Sequence, residues 1–148
     1  MKININKLKQ IYNSKYFPRL LYVKPDGGKN SGVTGYFLIE WKILFSIGIL
    51  RFNKGSREAL HTHAFNAITF WLWGEVKEEH LDGDVKNFKG LSLIPKLTKR
   101  SCYHRIISKD TSWALTFRGN WKDIWCENRQ GKEVKLTHGR IIVEKSNV

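Results

Sequence analysis

The chain has 148 residues, a length that fits one domain and rules out a second domain of full size. Hydrophobic residues make up 41% of the sequence and aromatic residues 13%, which excludes wholesale disorder. The formal net charge of +13 predicts attraction to anions, and no stretch approaches the ~20 apolar residues of a membrane-spanning helix.

The N-terminal segment, residues 1–16, is predicted to form a short helix that Pro18 would end. Its apolar residues follow an amphipathic helical spacing: Ile5, Leu8, Ile11 and Tyr12. The segment lacks the long apolar run of a signal peptide, and two cysteines are too few for a disulfide scaffold. We therefore expect a soluble protein of the cytoplasm, with no membrane partner.

The rest of the chain has the pattern of short strands separated by turn residues. A strand-like segment at 17–23 precedes a turn at 24–29, and a β-rich stretch at 35–52 has a break near 41–43. Further strand-like segments follow in chain order: 67–76, 90–94, 103–107, 112–118, 121–126 and 132–143. This spacing predicts an all-β sandwich or barrel, with one domain over 1–148 and the barrel at 33–143.

Two histidines stand out in the turn and strand that precede residue 67. His61 and His63 are separated by one residue, so on a strand both imidazoles project from the same face and can reach one metal ion. His104 is the predicted third ligand, because the interval of roughly forty residues leaves room for two or three strands to return the chain alongside. His80, in a polar loop, and His138, near the C-terminus, are expected to be exposed and to bind no metal.

These residues resemble the two sequence motifs of cupins, G-x5-H-x-H-x(3,4)-E-x6-G and G-x5-P-x-G-x2-H-x3-N. The residues that match the motifs are Gly55, His61, His63, Gly74, Gly90, Pro95 and His104. Ala67 takes the place of the motif glutamate, and the second motif lacks its inner glycine. The resemblance implies a cupin double-stranded β-helix, that is, a jelly-roll barrel, with a three-histidine site like that of cysteine dioxygenase-type cupins. It also implies pairing of two copies through edge strands.

A closer resemblance covers roughly residues 45–130 and is to small cupin-like proteins of phage and bacterial genomes. Their pattern includes H-x-H-P-W-x-F, L-x-L-W-G-x-Y-x-E, P-H-R, W-T-L-x-x-x-G and R-x-W-G-F. The corresponding segments here are 61–67, 70–78, 103–105, 113–119 and 122–127. Ala64 and Phe65 replace the usual proline and tryptophan. That group has no settled activity, so the resemblance implies the fold and the site and leaves the reaction open.

Three neutral imidazoles leave two or three coordination positions open on a metal. This donor set suits Fe(II), with Zn, Ni, Mn or Cu as alternatives. Iron with open positions favours a non-haem dioxygenase-like oxidoreductase that binds a substrate donor and dioxygen together, whereas zinc would activate water for hydrolysis.

Residues near the three histidines in sequence are expected to line the predicted site. Strand parity directs Trp71 and Trp73 toward the barrel interior, either as an aromatic wall of the site or as ordinary core. Ala67 leaves space where the motif has a carboxylate. Cys102 shares the predicted face of His104, either as a thiol near the metal or as a small buried residue.

Arginines are the candidate contacts for an anionic substrate, because a guanidinium binds carboxylate or phosphate with two donors. Arg51 and Arg57 are preferred because they are nearest in sequence to the ligand strand, and Arg118 ends a late strand. The basic run 96–105 lies on the approach to His104 and would steer a small anion inward. The alternative function is a non-catalytic basic barrel that binds a nucleotide-like anion or nucleic acid, although no recognised nucleic-acid motif is present.

Overall fold

The computed structural model describes residues 15–28, 30–56, 59–138 and 140–145. Within these residues the chain is all-β, as predicted, and none of them is helical. The strands are β1 (Arg19–Pro25), β2 (Val33–Trp41), β3 (Phe45–Phe52), β4 (Gly55–Ser56), β5 (Leu60–His61), β6 (Ala67–Trp73), β7 (Glu75–His80), β8 (Val85–Lys89), β9 (Lys96–Thr98), β10 (His104–Ser108), β11 (Ser112–Arg118), β12 (Trp125–Arg129), β13 (Lys132–Thr137) and β14 (Ile141–Lys145).

The strands form two antiparallel sheets. The first has the order β1-β2-β3-β11-β6-β9. The second has the order β14-β13-β12-β5-β10-β7-β8, and β4 pairs with β10 beside this path. Because β5, β10 and β7 are neighbours in the second sheet, residues far apart in sequence lie side by side there.

The core lies between the sheets and follows the alternation of side chains along each strand. In β11 every second residue is buried, from Ser112 to Arg118, because the strand presents one face to the opposite sheet. The buried apolar core is Val33, Phe37, Leu50, Phe52, Trp71, Val76, Ile106 and Ala114.

Gly74 marks the corner at which the chain leaves the first sheet at β6 and enters the second at β7. Its φ of +84° lies in the left-handed region that favours glycine. A Cβ at this position would lie 2.3 Å from Ser112 Oγ, so the corner also has no space for a side chain. The predicted strand at 67–76 is therefore two strands that belong to different sheets.

The prediction of a strand at 90–94 is wrong, because these residues form a loop between β8 and β9. Gly90 N donates to Gly74 O, and Leu91 adopts a φ of 61°, which turns the chain. The apolar side chains that suggested a strand are exposed instead, with Leu93 at 91%. The segment predicted at 132–143 is also divided, into β13 and β14, by a turn in which Arg140 has a φ of 60°.

The predicted N-terminal helix lies outside the described residues, apart from Lys15 and Tyr16, which form a turn. Among the residues that are described, no helix is long and apolar enough to span a membrane.

Candidate metal centre

The three predicted ligands, His61, His63 and His104, come together between the sheets. His61 on β5 lies directly opposite His104 on β10, so their side chains share a face, and His63 follows β5 in the next loop. One ring nitrogen of each residue lies within 4.8 Å of the others, and the Nε2 atoms of His63 and His104 are 2.7 Å apart. This is the geometry of three donors that converge on one ion.

The backbone fixes the direction of the His61 ring. Its Nδ1 donates a hydrogen bond to Ala59 O at 3.1 Å, which leaves Nε2 for the cluster. His61 is 4% exposed and His104 is 3% exposed, so neither ring is free to turn into solvent.

Glu78 orients His104. Its carboxylate accepts a hydrogen bond from Nδ1 of His104, and Lys96 Nζ lies 2.8 Å from the same oxygen. Burial opposes ionisation of Glu78, but the hydrogen bond from His104 and the charge of Lys96 outweigh it and lower its pKa to about 2. A carboxylate on the far nitrogen of a histidine is the common partner of a metal-bound imidazole.

The environment favours the neutral form of His63 and His104, as metal ligation requires. Burial lowers the pKa of His63 well below its usual range, and the neighbouring His61 and His104 lower it further. Burial also lowers the pKa of His104, although the hydrogen bond to Glu78 opposes this effect. At neutral pH the lone pairs of these rings are available to an ion.

A small cavity of about 80 Å³ adjoins the three histidines. Its walls are mostly apolar, and Trp71 packs against Phe52 there with a ring separation of 5.2 Å. Ala67 lines the cavity at the place of the motif glutamate, so among the described residues the cluster has no carboxylate ligand. Trp71 therefore lies on the interior face that strand parity predicts.

The prediction that Trp73 faces the interior is wrong. Trp73 pairs with Trp113 while Trp71 pairs with Ala114, so β6 has one residue more than β11 over this interval. This bulge reverses the alternation and leaves Trp73 65% exposed, away from the histidines.

The three predicted anion contacts have different positions. Arg51 lies on the outer face of β3, with its guanidinium 5.9 Å from the Trp113 ring centroid, and does not line the cavity beside the histidines. Arg57 lies outside the described residues. Arg118 does line that cavity, and its two terminal nitrogens bind Asp26 at 3.1 and 2.6 Å.

Cys102 is separated from the cluster by two other side chains. Its Sγ lies 3.3 Å from Nδ1 of His80, and Nε2 of His80 lies 3.4 Å from Glu78. Burial raises the pKa of the Cys102 thiol. The expectation of an exposed His80 in a loop is wrong, because His80 ends β7 and its side chain is only 15% exposed.

Glu78 is absent from the predicted site residues, and Lys96 is predicted only as part of the basic run 96–105, with no contact to a ligand's partner. The resemblance contained a signal for Glu78, because the pattern L-W-G-x-Y-x-E ends on this residue. Lys96 had no such signal, since its partner lies on a strand of the opposite sheet.

No family model and no curated protein matches the chain. Solved structures do resemble it. A sugar phosphate isomerase of the cupin superfamily from Silicibacter pomeroyi has 10% identity and a TM-score of 0.57, over 97% of this chain and 92% of that one. An RmlC-like cupin from Shewanella frigidimarina has 14% identity and a TM-score of 0.55, over 70% and 86%.

A third resemblance is to Fe(II)-HppE with an alternative substrate, at 11% identity and a TM-score of 0.52, over 66% of this chain and 55% of that one. Such low identities show the fold alone. The chain thus has the cupin double-stranded β-helix fold, and its three clustered histidines, of which His61 and His104 are buried, form a candidate metal centre between the two sheets.

Proposed function

We propose that this chain is a metal-dependent cupin that acts as a non-haem Fe(II) dioxygenase-like oxidoreductase on a small anionic substrate. The observation that carries the proposal is the convergence of three imidazoles, one of them oriented by a buried carboxylate. His61, His63 and His104 would hold the ion, with zinc, nickel, manganese or copper as alternatives to iron. Iron in such a site supplies redox chemistry with dioxygen at its open coordination positions.

The charge of the ligand set supports an anionic substrate. Three neutral histidines leave the two positive charges of a divalent ion uncompensated, because Ala67 stands where cupins carry a glutamate. A negatively charged donor on the substrate would restore that balance.

The cavity wall supports chemistry that is shielded from water. Trp71 and Phe52 form an apolar side of the cavity beside the histidines, and Trp71 is 2% exposed. An apolar wall of this kind excludes solvent and strengthens electrostatic interactions within the site.

Metal analysis of untagged protein, purified anaerobically and without chelators, tests the proposal. We expect one equivalent of iron per chain in the wild type and its loss in His61→Ala and His104→Ala. His80→Ala is the matched control, because His80 neighbours His104 but does not belong to the cluster. A wild-type protein that binds no divalent metal would contradict the proposal.

Dioxygen uptake separates an enzyme from a binding module. The ferrous protein is mixed with small carboxylic acids, including thiol-bearing ones, and oxygen consumption is followed with an electrode. Uptake that depends on both the acid and His104 supports the oxidoreductase. Metal binding with no uptake, and release of an unchanged nucleotide-like anion from the denatured protein, favours the non-catalytic alternative.

A further inference from the structure

A second, larger cavity of about 310 Å³ adjoins the histidine cavity. The two share His63, Phe65 and Asp26, so an occupant of the larger one would lie beside the metal ligands. Its walls come from separate loops and strand ends: the β1–β2 turn, the β2–β3 turn, the loop after β5, the loop between β11 and β12 and the β13–β14 turn. Its volume is at the small end of the range for small-molecule sites.

Positive charge exceeds negative charge in this cavity wall. Arg19 and Lys24 both bind the single carboxylate of Glu40, which is itself 1% exposed. Arg140 binds Glu127, which also pairs with Arg129. Of the described residues that line the cavity, Arg19, Lys24 and Arg140 are cations, and Asp26 is the one carboxylate and already binds Arg118. The lining therefore has a net positive charge before Lys42 is considered.

Lys42 adds a further positive charge that is not neutralised locally. In the part of the chain that the structure describes, no carboxylate lies within ion-pair distance of its ammonium group, which is 4.9 Å from the Trp121 ring centroid. Burial lowers the pKa of Lys42 to about 8; Lys24 and Arg19 contribute to this shift, and Glu40 opposes it. A half-buried ammonium near other cations is a position that an anion would stabilise.

Aromatic side chains line the cavity as well as cations, which suits an organic ligand. Trp121, Trp125 and Phe65 line it together with the cations. Trp121 Nε1 is buried and, among the described residues, has no hydrogen-bond partner, which leaves a donor for a ligand acceptor. Arg19 is only 7% exposed, and Lys24, Lys42 and Arg140 are half-buried, so the wall suits a compact molecule better than a nucleic-acid backbone.

We propose that this cavity binds the carboxylate or phosphate group of a small organic acid, with Lys42 as its main contact and the rest of the ligand directed toward His63. The identification of this ligand as the substrate rests on the proposed function, because it assumes a metal at the neighbouring histidines. Binding of the anion itself does not require the metal.

The affinity for the anion should change with pH in a defined direction. The ammonium form of Lys42 attracts the anion, so affinity falls as the pH rises through about 8, and binding near that pH takes up a proton. The groups that face Lys42 are Glu40, Lys24, Arg19 and, across Trp121, His138. Lys24 and Arg19 cannot replace Lys42 because they share Glu40, and His138 cannot because burial lowers its pKa and favours the neutral imidazole.

Calorimetric titration of metal-free protein with sodium phosphate and, separately, with sodium succinate tests the proposal. We expect at least one of the two to bind, and Lys42→Met to weaken it about tenfold or more, the loss expected for one charge-assisted contact. Lys89→Met is the matched control, since it removes one positive charge at a site that is 80% exposed and outside this cavity. Binding of phosphate alone, or of succinate alone, identifies which acid group the cavity accepts.

The proposal is overturned if neither anion binds, or if Lys42→Met and Lys89→Met bind it equally well. Lys42→Arg should keep the affinity and lose its decline between about pH 7 and about pH 9, because a guanidinium stays charged there. If Lys42→Met does not fold, Lys42→Gln takes its place in the comparison. Iron analysis of the anaerobically purified protein, before the metal is removed for calorimetry, is a separate readout. A protein that binds the anion but contains no metal supports the cavity and contradicts the metal-dependent function. A protein that contains metal but binds neither anion supports the metal-dependent function and contradicts the cavity.

Discussion

Glu78 on β7 and His104 on β10 form a buried hydrogen bond in which Nδ1 of the imidazole donates to the carboxylate. A carboxylate with a pKa of about 2 can only accept at neutral pH, so the proton stays on Nδ1 and the lone pair of His104 is on Nε2. The Nε2 atom is the one that lies 2.7 Å from His63. Glu78 thereby selects the tautomer of His104 that can bind a metal.

We predict that Glu78→Gln weakens metal binding by about 10- to 100-fold, the usual effect of losing such a partner. Glu79→Gln is the matched control, because the next residue on the same strand points to the opposite face and pairs with Arg105. Competition with a fluorescent chelator measures both affinities. Equal affinities in the two variants would show that Glu78 does not position the ligand.

Removal of Glu78 also leaves Lys96 buried without its partner, since the Lys96 side chain is 8% exposed. The double variant Glu78→Gln/Lys96→Met corrects for this charge. Its metal affinity should stay as low as that of Glu78→Gln even when its thermal unfolding temperature recovers.

Ala67→Glu should tighten metal binding by about tenfold or more. The new carboxylate would reach the cavity beside the histidines, where Ala67 forms part of the wall, and would add a negative donor to three neutral ones. The same charge should weaken binding of an anionic substrate. Chelator competition and dioxygen uptake measure the two effects, and Ala67→Gln separates the charge from the size of the side chain.

Arg118→Met should lower the free energy of unfolding by roughly 2–3 kcal/mol, because it breaks a two-bond ion pair with Asp26 that is largely buried. Guanidinium denaturation measures the loss. The double variant Asp26→Asn/Arg118→Met should recover part of it, since no uncompensated charge remains. A double variant less stable than both single ones would contradict the importance of this pair.

Lys42→Met should raise the free energy of unfolding at neutral pH by about 1 kcal/mol. The lowered pKa of Lys42 means that the folded state binds this proton less tightly than the unfolded chain, whose lysine titrates near 10.5. The expected gain in unfolding free energy is well below the full free-energy equivalent of the pKa shift. Lys42 is partly exposed to solvent, and the variant loses the contact with Trp121.

The stability difference between Lys42→Met and the wild type should depend on pH in a defined direction. The free-energy cost of the half-buried Lys42 ammonium is fully present below about pH 8 and disappears as the pH rises toward 10.5. The advantage of Lys42→Met over the wild type should therefore shrink across that interval. Lys89→Met should follow the wild type throughout, and a Lys42→Met protein less stable than the wild type at neutral pH would contradict the burial of this charge.

The three histidines could be predicted because their spacing along the chain identifies them. His61 and His63 follow from the period of two along a strand, although His63 in fact lies in the loop just beyond β5. His104 follows from the number of strands that fit between the motifs. The strand at 112–118 was predicted with its observed bounds, since its alternation is uninterrupted.

The failures have physical causes that a single sequence does not reveal. Trp73 is turned outward by a bulge, which depends on pairing with β11 rather than on β6 itself. The loop after Gly90 is apolar yet exposed, so its composition is the same as that of a buried strand and predicts one wrongly. Lys42 became a candidate only in the folded chain, because its neighbours Lys24, Arg19 and Trp121 come from other elements.

The two-residue strand β5 has a mechanical role if the site binds metal. It pairs with β10 through one residue pair, His61 with His104, and with β12 through two. An ion shared by His61 and His104 would cross-link these strands at their single point of pairing. Amide hydrogens of β5 and β10 should then exchange with solvent more slowly in the metal-loaded protein. A bound ion would thus also stabilise the middle of the second sheet.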